Sequence, residues 1–163
     1  MESSRISLRP FRLTDADDIL LWAGDDRVTQ NIRWETLRSK EEALNFIKEV
    51  CIPQPWHVSI CIDDRSIGFL WVVYPSSDKD IESAYIGYAI AAEYWGQGIA
   101  TKALKMAILQ ILSDFPQIKK LDAYAGLENK ASHRVLEKAG FLYQGTVFHG
   151  VDFVVYTLQS INI

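Results

Sequence analysis

Two glycines one residue apart stand in the run Tyr94-Trp95-Gly96-Gln97-Gly98-Ile99-Ala100-Thr101, between a strand-like and a helix-like stretch. Such spacing lets the backbone turn sharply and present several N–H groups in one direction. A helix that follows adds unpaired N–H groups and the positive end of its dipole, so the turn suits a phosphate or pyrophosphate. No Lys-Ser/Thr pair follows as in a Walker loop, and the third glycine of GxGxxG is missing. A helix entry that needs small residues for packing would read the same way. Further on, Asn129-Lys130-Ala131-Ser132 opens another helical stretch, with Asn129 suited to cap it. Groups able to act as a general base are Glu82 and Glu35, and by chemistry His57, His133 and His149. Each acid also reads as a solvated surface group. Cys51 and Cys61 sit among apolar residues without CxxC spacing or a nearby histidine, which predicts buried free thiols and no metal site.

These residues belong to a chain of 163, with 48% hydrophobic and 23% charged residues. Those proportions predict one globular domain over residues 1–163 and exclude disorder, collagen-like repeats and a disulfide scaffold. The longest apolar run, Phe69 to Tyr74, is far short of a membrane span, and the opening MESSRISLRP lacks the apolar stretch of a signal peptide. A cytoplasmic protein with no membrane partner is expected. The net charge of −4 is unevenly spread: from Gly96 to Gly140 seven Lys/Arg face four Asp/Glu, so that segment is +3 and the remainder −7. The split argues against a nucleic-acid partner, which calls for a basic surface overall. It suits an anionic ligand on one part and a cationic partner on another, or merely an uneven solvated surface.

Periodicity supplies the elements that must position the loop. Ile6 and Leu8 alternate with polar residues in a short strand, and Thr14 is placed to cap a helix bearing Ile19, Leu20 and Trp22. Ser39 with Glu42 reads as a capping box for a helix through Val50. Strands His57 to Ile62 and Ile67 to Tyr74 flank a turn at Asp63-Asp64-Arg65-Ser66, and Ala84 to Ile90 is a further strand. Ile99, Ala103, Ala107, Ile108, Ile111 and Leu112 follow the helical period. A strand at Lys120 to Ala125, a helix at Asn129 to Ala139 and strands at Phe141 to Phe148 and Phe153 to Leu158 complete the chain. The mixture is α+β: a mixed, mostly antiparallel sheet of about seven strands flanked by about four helices.

The order of these pieces resembles the GNAT superfamily of acyl-CoA-dependent N-acetyltransferases, and in particular its Rim-type branch, which includes ribosomal-protein N-terminal acetyltransferases. The likeness runs from ISLRPFRLTDADDILLW through IGYAIAAEYWGQGIATKAL to NKASHRVLEKAGF and the closing strands, nearly the whole chain. WGQGIA stands where the superfamily carries its (Gln/Arg)-x-x-Gly-x-(Gly/Ala) pyrophosphate loop, with Trp95 in place of the first Gln/Arg.

The resemblance implies acetyl-CoA as cosubstrate, an amine acceptor such as a protein N-terminus, and no metal. It implies that main-chain N–H groups of Gln97, Gly98, Ile99, Ala100 and Thr101 hold the pyrophosphate, with Lys102, Lys105 and Lys138 near the adenosine phosphates or simply exposed. The pantetheine arm would pair with the strand before the loop, through Ala89 and Ile90, where a backbone N–H would also polarise the thioester carbonyl. Asn129 matches the helix cap that contacts that arm. Many members carry a tyrosine in this helix to protonate the departing thiolate; here that position is Leu136, and Ser132 is the candidate donor. The Rim-type strand often reads Glu-(Ile/Leu)-Gly-Tyr, whereas this one reads Tyr85-Ile86-Gly87-Tyr88. Tyr85 therefore occupies the carboxylate position, and Glu82, ~10 Å away along a strand, would act only through water. Trp34 and Tyr85 fall where the resemblance places an acceptor pocket. Acids at Asp15, Asp17, Asp18, Asp25, Asp26, Glu35, Glu41 and Glu42 would form an acidic rim there, attracting basic acceptors in a salt-dependent way.

Two function classes result: an acetyl-CoA-dependent N-acetyltransferase working by direct attack of a primary amine, or a non-catalytic acyl-CoA-binding protein of the same fold. The missing Glu and Tyr keep the second open. A cysteine relay is disfavoured, since Cys51 precedes the core and Cys61 lies on a distant strand.

Overall fold

Short alternating runs become strands, and the longer periodic runs become helices, in the computed structural model, which describes residues 5–54, 56–73 and 82–159. Strand β1 (Ile6–Pro10) leads to helices α1 (Ala16–Ala23), α2 (Asp26–Ile32) and α3 (Lys40–Phe46), then to strands β2 (His57–Ile62), β3 (Arg65–Val73) and β4 (Ser83–Ile90). Helix α4 (Ile99–Asp114), β5 (Lys120–Gly126), α5 (Lys130–Lys138), β6 (Leu142–Phe148) and β7 (Asp152–Gln159) follow. The strand order is β1-β2-β3-β4-β5-β7-β6. The α+β class and the seven-stranded mixed sheet are as expected. Helices number five rather than about four among the described residues, because the first expected helix stops at Gly24 and a new one starts. A Cβ on Gly24 would lie 2.4 Å from the Leu20 carbonyl oxygen, and Asp25 then caps α2 by accepting from the Arg27 N–H. Among the described residues no helix is long and apolar enough to cross a membrane.

The chain divides into two compact units, residues 1–71 with 88–103, and residues 72–87 with 104–163. In the first, β1 pairs antiparallel with β2 and β2 with β3. Their apolar side packs against the short helices through Phe11, Ile19, Trp22, Val28, Ala43, Ile47 and Phe69, all buried. Trp22 and Trp56 are core residues, whereas Trp71 is half-buried and lies tilted beside Trp34 with ring centroids 4.9 Å apart. The β2–β3 connection is tighter than the four-residue turn expected. Asp63 and Asp64 alone make it, at φ of 49° and 66°, the paired left-handed conformation of a two-residue hairpin. Arginines hold both carboxylates: Arg5 binds Asp63, while Arg9 and Arg12 bind Asp64.

Two local expectations are corrected. Thr14 does not cap α1; a 3-10 turn, Leu13–Asp15, precedes that helix and Asp15 occupies the cap position. The Asp15 carboxylate instead accepts from the Arg12 N–H and from both terminal nitrogens of Arg9, the latter at 2.9 and 2.8 Å. Ser39 does cap α3, but Glu42 accepts from the N–H of Arg38 rather than of Ser39, so the box is opened by one residue. The acidic rim is also altered. Asp15, Asp17, Asp18, Asp25 and Asp26 pair with Arg9, Lys40, Arg65, Arg27 and Arg38 in that order. Five of the eight acids of the expected rim thus have a cation at contact, while Glu35, Glu41 and Glu42 are not in these pairs.

In the second unit β4 runs parallel to β5, with Ala84 beside Leu121 and Tyr85 beside Asp122. Strand β7 lies antiparallel between β5 and β6. Leu121, Ala123 and Ala125 are buried while Asp122 and Tyr124 alternate to the opposite face. On α5, Leu136 is buried, and Glu137 accepts from the hydroxyl of buried Tyr156.

Candidate functional site

The glycine loop belongs to the first unit. Gly96 and Gly98 have φ of +74° and +77°, and a Cβ built on either meets nothing within 4 Å. Their need for glycine is therefore conformational, since L side chains rarely adopt this region, and packing does not demand it. Helix α4 starts at Ile99, which is buried, and its first intrahelical bond runs from the Lys102 N–H to the Gly98 oxygen. The N–H groups ahead of Lys102 have no acceptor within the helix and gather at its positive end. Side chains brace the loop from behind. The Trp95 indole donates to the Ile90 oxygen at 2.9 Å, and the Gln97 amide donates to the Glu93 oxygen at 3.0 Å. Gln97 thus turns its side chain back on the chain, leaving its main chain to the loop. Ala89 and Ile90 end β4 as buried residues. Glycine at position 68 is required there, because a Cβ would lie 2.3 Å from the Ala89 oxygen.

In the second unit, the Asn129 side chain accepts from the Ser132 N–H at 3.2 Å, capping α5 as its sequence predicts. Ser132 is half-buried at that end of the helix. Leu136, where many members of the resembling superfamily carry tyrosine, is a core residue. His133 is engaged structurally: its Nε2 meets the Gly126 oxygen at 2.9 Å and its ring lies against Tyr156. Glu82, exposed just before β4, pairs with Lys119 at 3.1 Å. Tyr85 stacks on Tyr124, with centroids 5.2 Å apart and planes at 27°. Burial, with the Tyr85 hydroxyl beside it, pushes the Tyr124 phenol far above its ordinary value.

Other candidates stay in the first unit. Trp34 packs on Trp71, Phe69 and Phe46, Glu35 is exposed, and the His57 Nδ1 meets the Val50 oxygen at 2.8 Å. Cys51 and Cys61 are free and buried, and burial pushes both thiols up, away from nucleophilic thiolate. Among the described residues no cluster of three His, Cys, Asp or Glu could hold a metal.

Sequence reasoning missed Tyr124, Asp122 and Phe153, which share a face of the second unit with Tyr85, and it named His149 only as a base by chemistry, without this neighbourhood. Alternation in the strand from Lys120 already separates Asp122 and Tyr124 from the apolar residues. The missing information was that β5 neighbours β4.

Residues 5–142 match the model of the acetyltransferase (GNAT) domain. The chain is 24% identical to an uncharacterized N-acetyltransferase, YoaA of Bacillus subtilis, over 90% of this chain and 85% of that one. A GNAT-family acetyltransferase from Bacillus anthracis superposes with a TM-score of 0.79 at 20% identity, covering 98% of this chain and 97% of the other. RimL, a ribosomal L7/L12 alpha-N-protein acetyltransferase in complex with coenzyme A, superposes with a TM-score of 0.78 at 18% identity, covering 96% and 94%.

Proposed function

The chain belongs to the GNAT acetyltransferase family, and from that premise we propose that it transfers the acetyl group of acetyl-CoA to a primary amine by direct attack. The acceptor is a protein N-terminus or a small amine. The observation that carries this reading is the loop in which Gly96 and Gly98 hold positive φ with open space at their Cα atoms, ahead of the sixteen-residue helix α4. A pyrophosphate fits there, because no side chain projects from either glycine and the helix end attracts negative charge. When bound, acetyl-CoA supplies an acyl group already activated as a thioester.

The chain's own residues do the rest. Main-chain N–H groups from Gln97 to Thr101 hold the phosphates. Ala89 and Ile90 offer backbone to the pantetheine arm, and since the Trp95 indole occupies the Ile90 oxygen, Ile90 contributes its N–H. Asn129 already accepts with its oxygen from Ser132, which leaves its amide nitrogen as the donor toward that arm. The Ser132 hydroxyl protonates the departing thiolate, a role the buried Leu136 cannot fill. Tyr85 and Glu82 are assigned to proton removal from the amine, Glu82 through water because its carboxylate is engaged with Lys119. Membership of the Rim-type branch belongs to the same proposal. It rests on Trp95, on Asn129 with Ser132, and on Lys138-Ala139-Gly140-Phe141. A cytoplasmic location is proposed with it, since both cysteines are free thiols.

Incubation with acetyl-CoA and a panel of amines, read as free thiol, tests the activity. Amine-dependent thiol release is expected. Coenzyme A binding without such release would make the chain an acyl-CoA-binding protein, and absence of binding would overturn the loop assignment.

A further inference from the structure

Four aromatic side chains gather on one face of the second unit's sheet. Tyr85 of β4 and Tyr124 of β5 form the stacked pair. His149, in the turn before β7, meets the Tyr124 ring edge-on at 5.6 Å. Phe153 of β7 lies 6.4 Å from Tyr124 and 6.5 Å from His149. Register brings them together, since Tyr85 neighbours Asp122, two residues before Tyr124, and Phe153 neighbours Gly126, two residues after it. They are not core: Tyr124 is 38% exposed and His149 is exposed. Exposed Tyr124 and His149 beside half-buried Tyr85 and Phe153 make a surface patch with a use beyond packing.

Its chemistry favours a cation. Aromatic faces carry negative potential that attracts ammonium groups. Asp122, largely buried on the same face and accepting from the Thr157 hydroxyl at 2.6 Å, adds negative charge felt at Tyr124. Lys120, 3.5 Å from Asp122, offsets part of that charge. The ring faces remain as the larger attraction.

We propose that Tyr85, Tyr124, His149 and Phe153 form a recognition platform for an alkylammonium group of the acceptor, an inference that rests on the acetyltransferase reading above. A protonated amine has no lone pair with which to attack a thioester. The Tyr85 hydroxyl is assigned to the proton of the amine that reacts, so an ammonium that stays on the ring faces is a second cationic group of the same molecule. The acceptor class is a diamine or polyamine.

Two measurements test this, one independent of turnover. In NMR titrations, choline should shift the Tyr124 and His149 ring signals, and its neutral isostere 3,3-dimethylbutan-1-ol should bind several-fold more weakly. Tyr124→Leu should weaken choline binding by roughly fivefold to tenfold, Tyr124→Phe should restore it by keeping the ring, and His149→Leu gives a second weakened variant at an exposed turn. Equal binding of choline and its isostere, or choline binding unchanged in Tyr124→Leu and His149→Leu, would overturn the platform. In turnover, 1,4-diaminobutane should exceed butylamine in kcat/KM by roughly tenfold, and Tyr124→Leu should bring the ratio toward one. Choline binding as expected with no amine acetylated would remove the acetyltransferase reading while leaving the cation platform standing. Equal use of diamine and monoamine would overturn the platform's role in acceptor choice.

Discussion

The indole Nε1 of Trp95 donates to the main-chain oxygen of Ile90 across 2.9 Å, tying the entry of the glycine loop to the last residue of β4. The resembling superfamily usually places Gln or Arg at the Trp95 position. Here a rigid ring spans the corner, and 46% of the tryptophan remains exposed. The bond fixes the approach to Gly96 and so sets where the loop's N–H groups point.

Trp95→Phe keeps the ring and removes the donor. A neutral hydrogen bond is worth about 1 kcal/mol, and this one forms without ligand. The melting temperature should therefore drop by roughly 2–4 °C, and coenzyme A affinity should fall by up to about fivefold by calorimetry as the loop loses its fixed entry. Equal affinity would show that the indole bond does not set the loop.

At Gly98 the cost of substitution is conformational first and electrostatic second. Gly98→Asn tests the positive φ alone, because Asn tolerates the left-handed region better than most residues. Gly98→Asp has nearly the same shape and adds a negative charge beside the proposed phosphates. The Asn variant should lose affinity for coenzyme A several-fold, and the Asp variant roughly a further tenfold. If the two variants bind alike, no phosphate sits at this loop.

Ser132→Ala should lower kcat while coenzyme A affinity stays within about twofold, since only the transition state loses an interaction. The Ser132 N–H still caps onto Asn129 in the variant, so α5 keeps its start. Normal turnover would reduce Ser132 to a packing residue.

Asp18 links stability to pH. Its carboxylate accepts from the Arg65 guanidinium at 2.8 and 2.6 Å, and these bonds hold its pKa below the usual carboxylate range. A depressed carboxylate stabilises the fold fully above its unfolded value, ~3.9, and loses that contribution as pH falls through the folded value. Arg65→Met should therefore destabilise the fold modestly at neutral pH, because the arginine is exposed and solvent screens the pair. The difference from the parent protein should hold between about pH 5 and 8 and shrink below about pH 4. Denaturant midpoints against pH would show it. A difference that grows on acidification would contradict the ion pair.

The amino-acid sequence by itself determined most of the elements, α2 excepted, and the glycine loop. The alternation at Ile6 and Leu8, the helical period from Ile99 and the caps at Ser39 and Asn129 are local patterns, legible because each element must bury one face or satisfy its own end. Gly96 and Gly98 were legible for the same reason, as residues that enter the left-handed region freely. The tertiary structure alone decided which strands are neighbours. The chain returns β7 between β5 and β6 and sets β4 parallel to β5, and no local preference encodes that pairing. Tyr85 and Tyr124 are separated by a long helix in the chain, so their stacking became visible only with the register. The same holds for the acids near the start. Asp18 meets Arg65, 47 residues away, and Asp15 meets Arg9. Charge counted along a sequence carries no information on distance, whereas ion pairing requires contact in space.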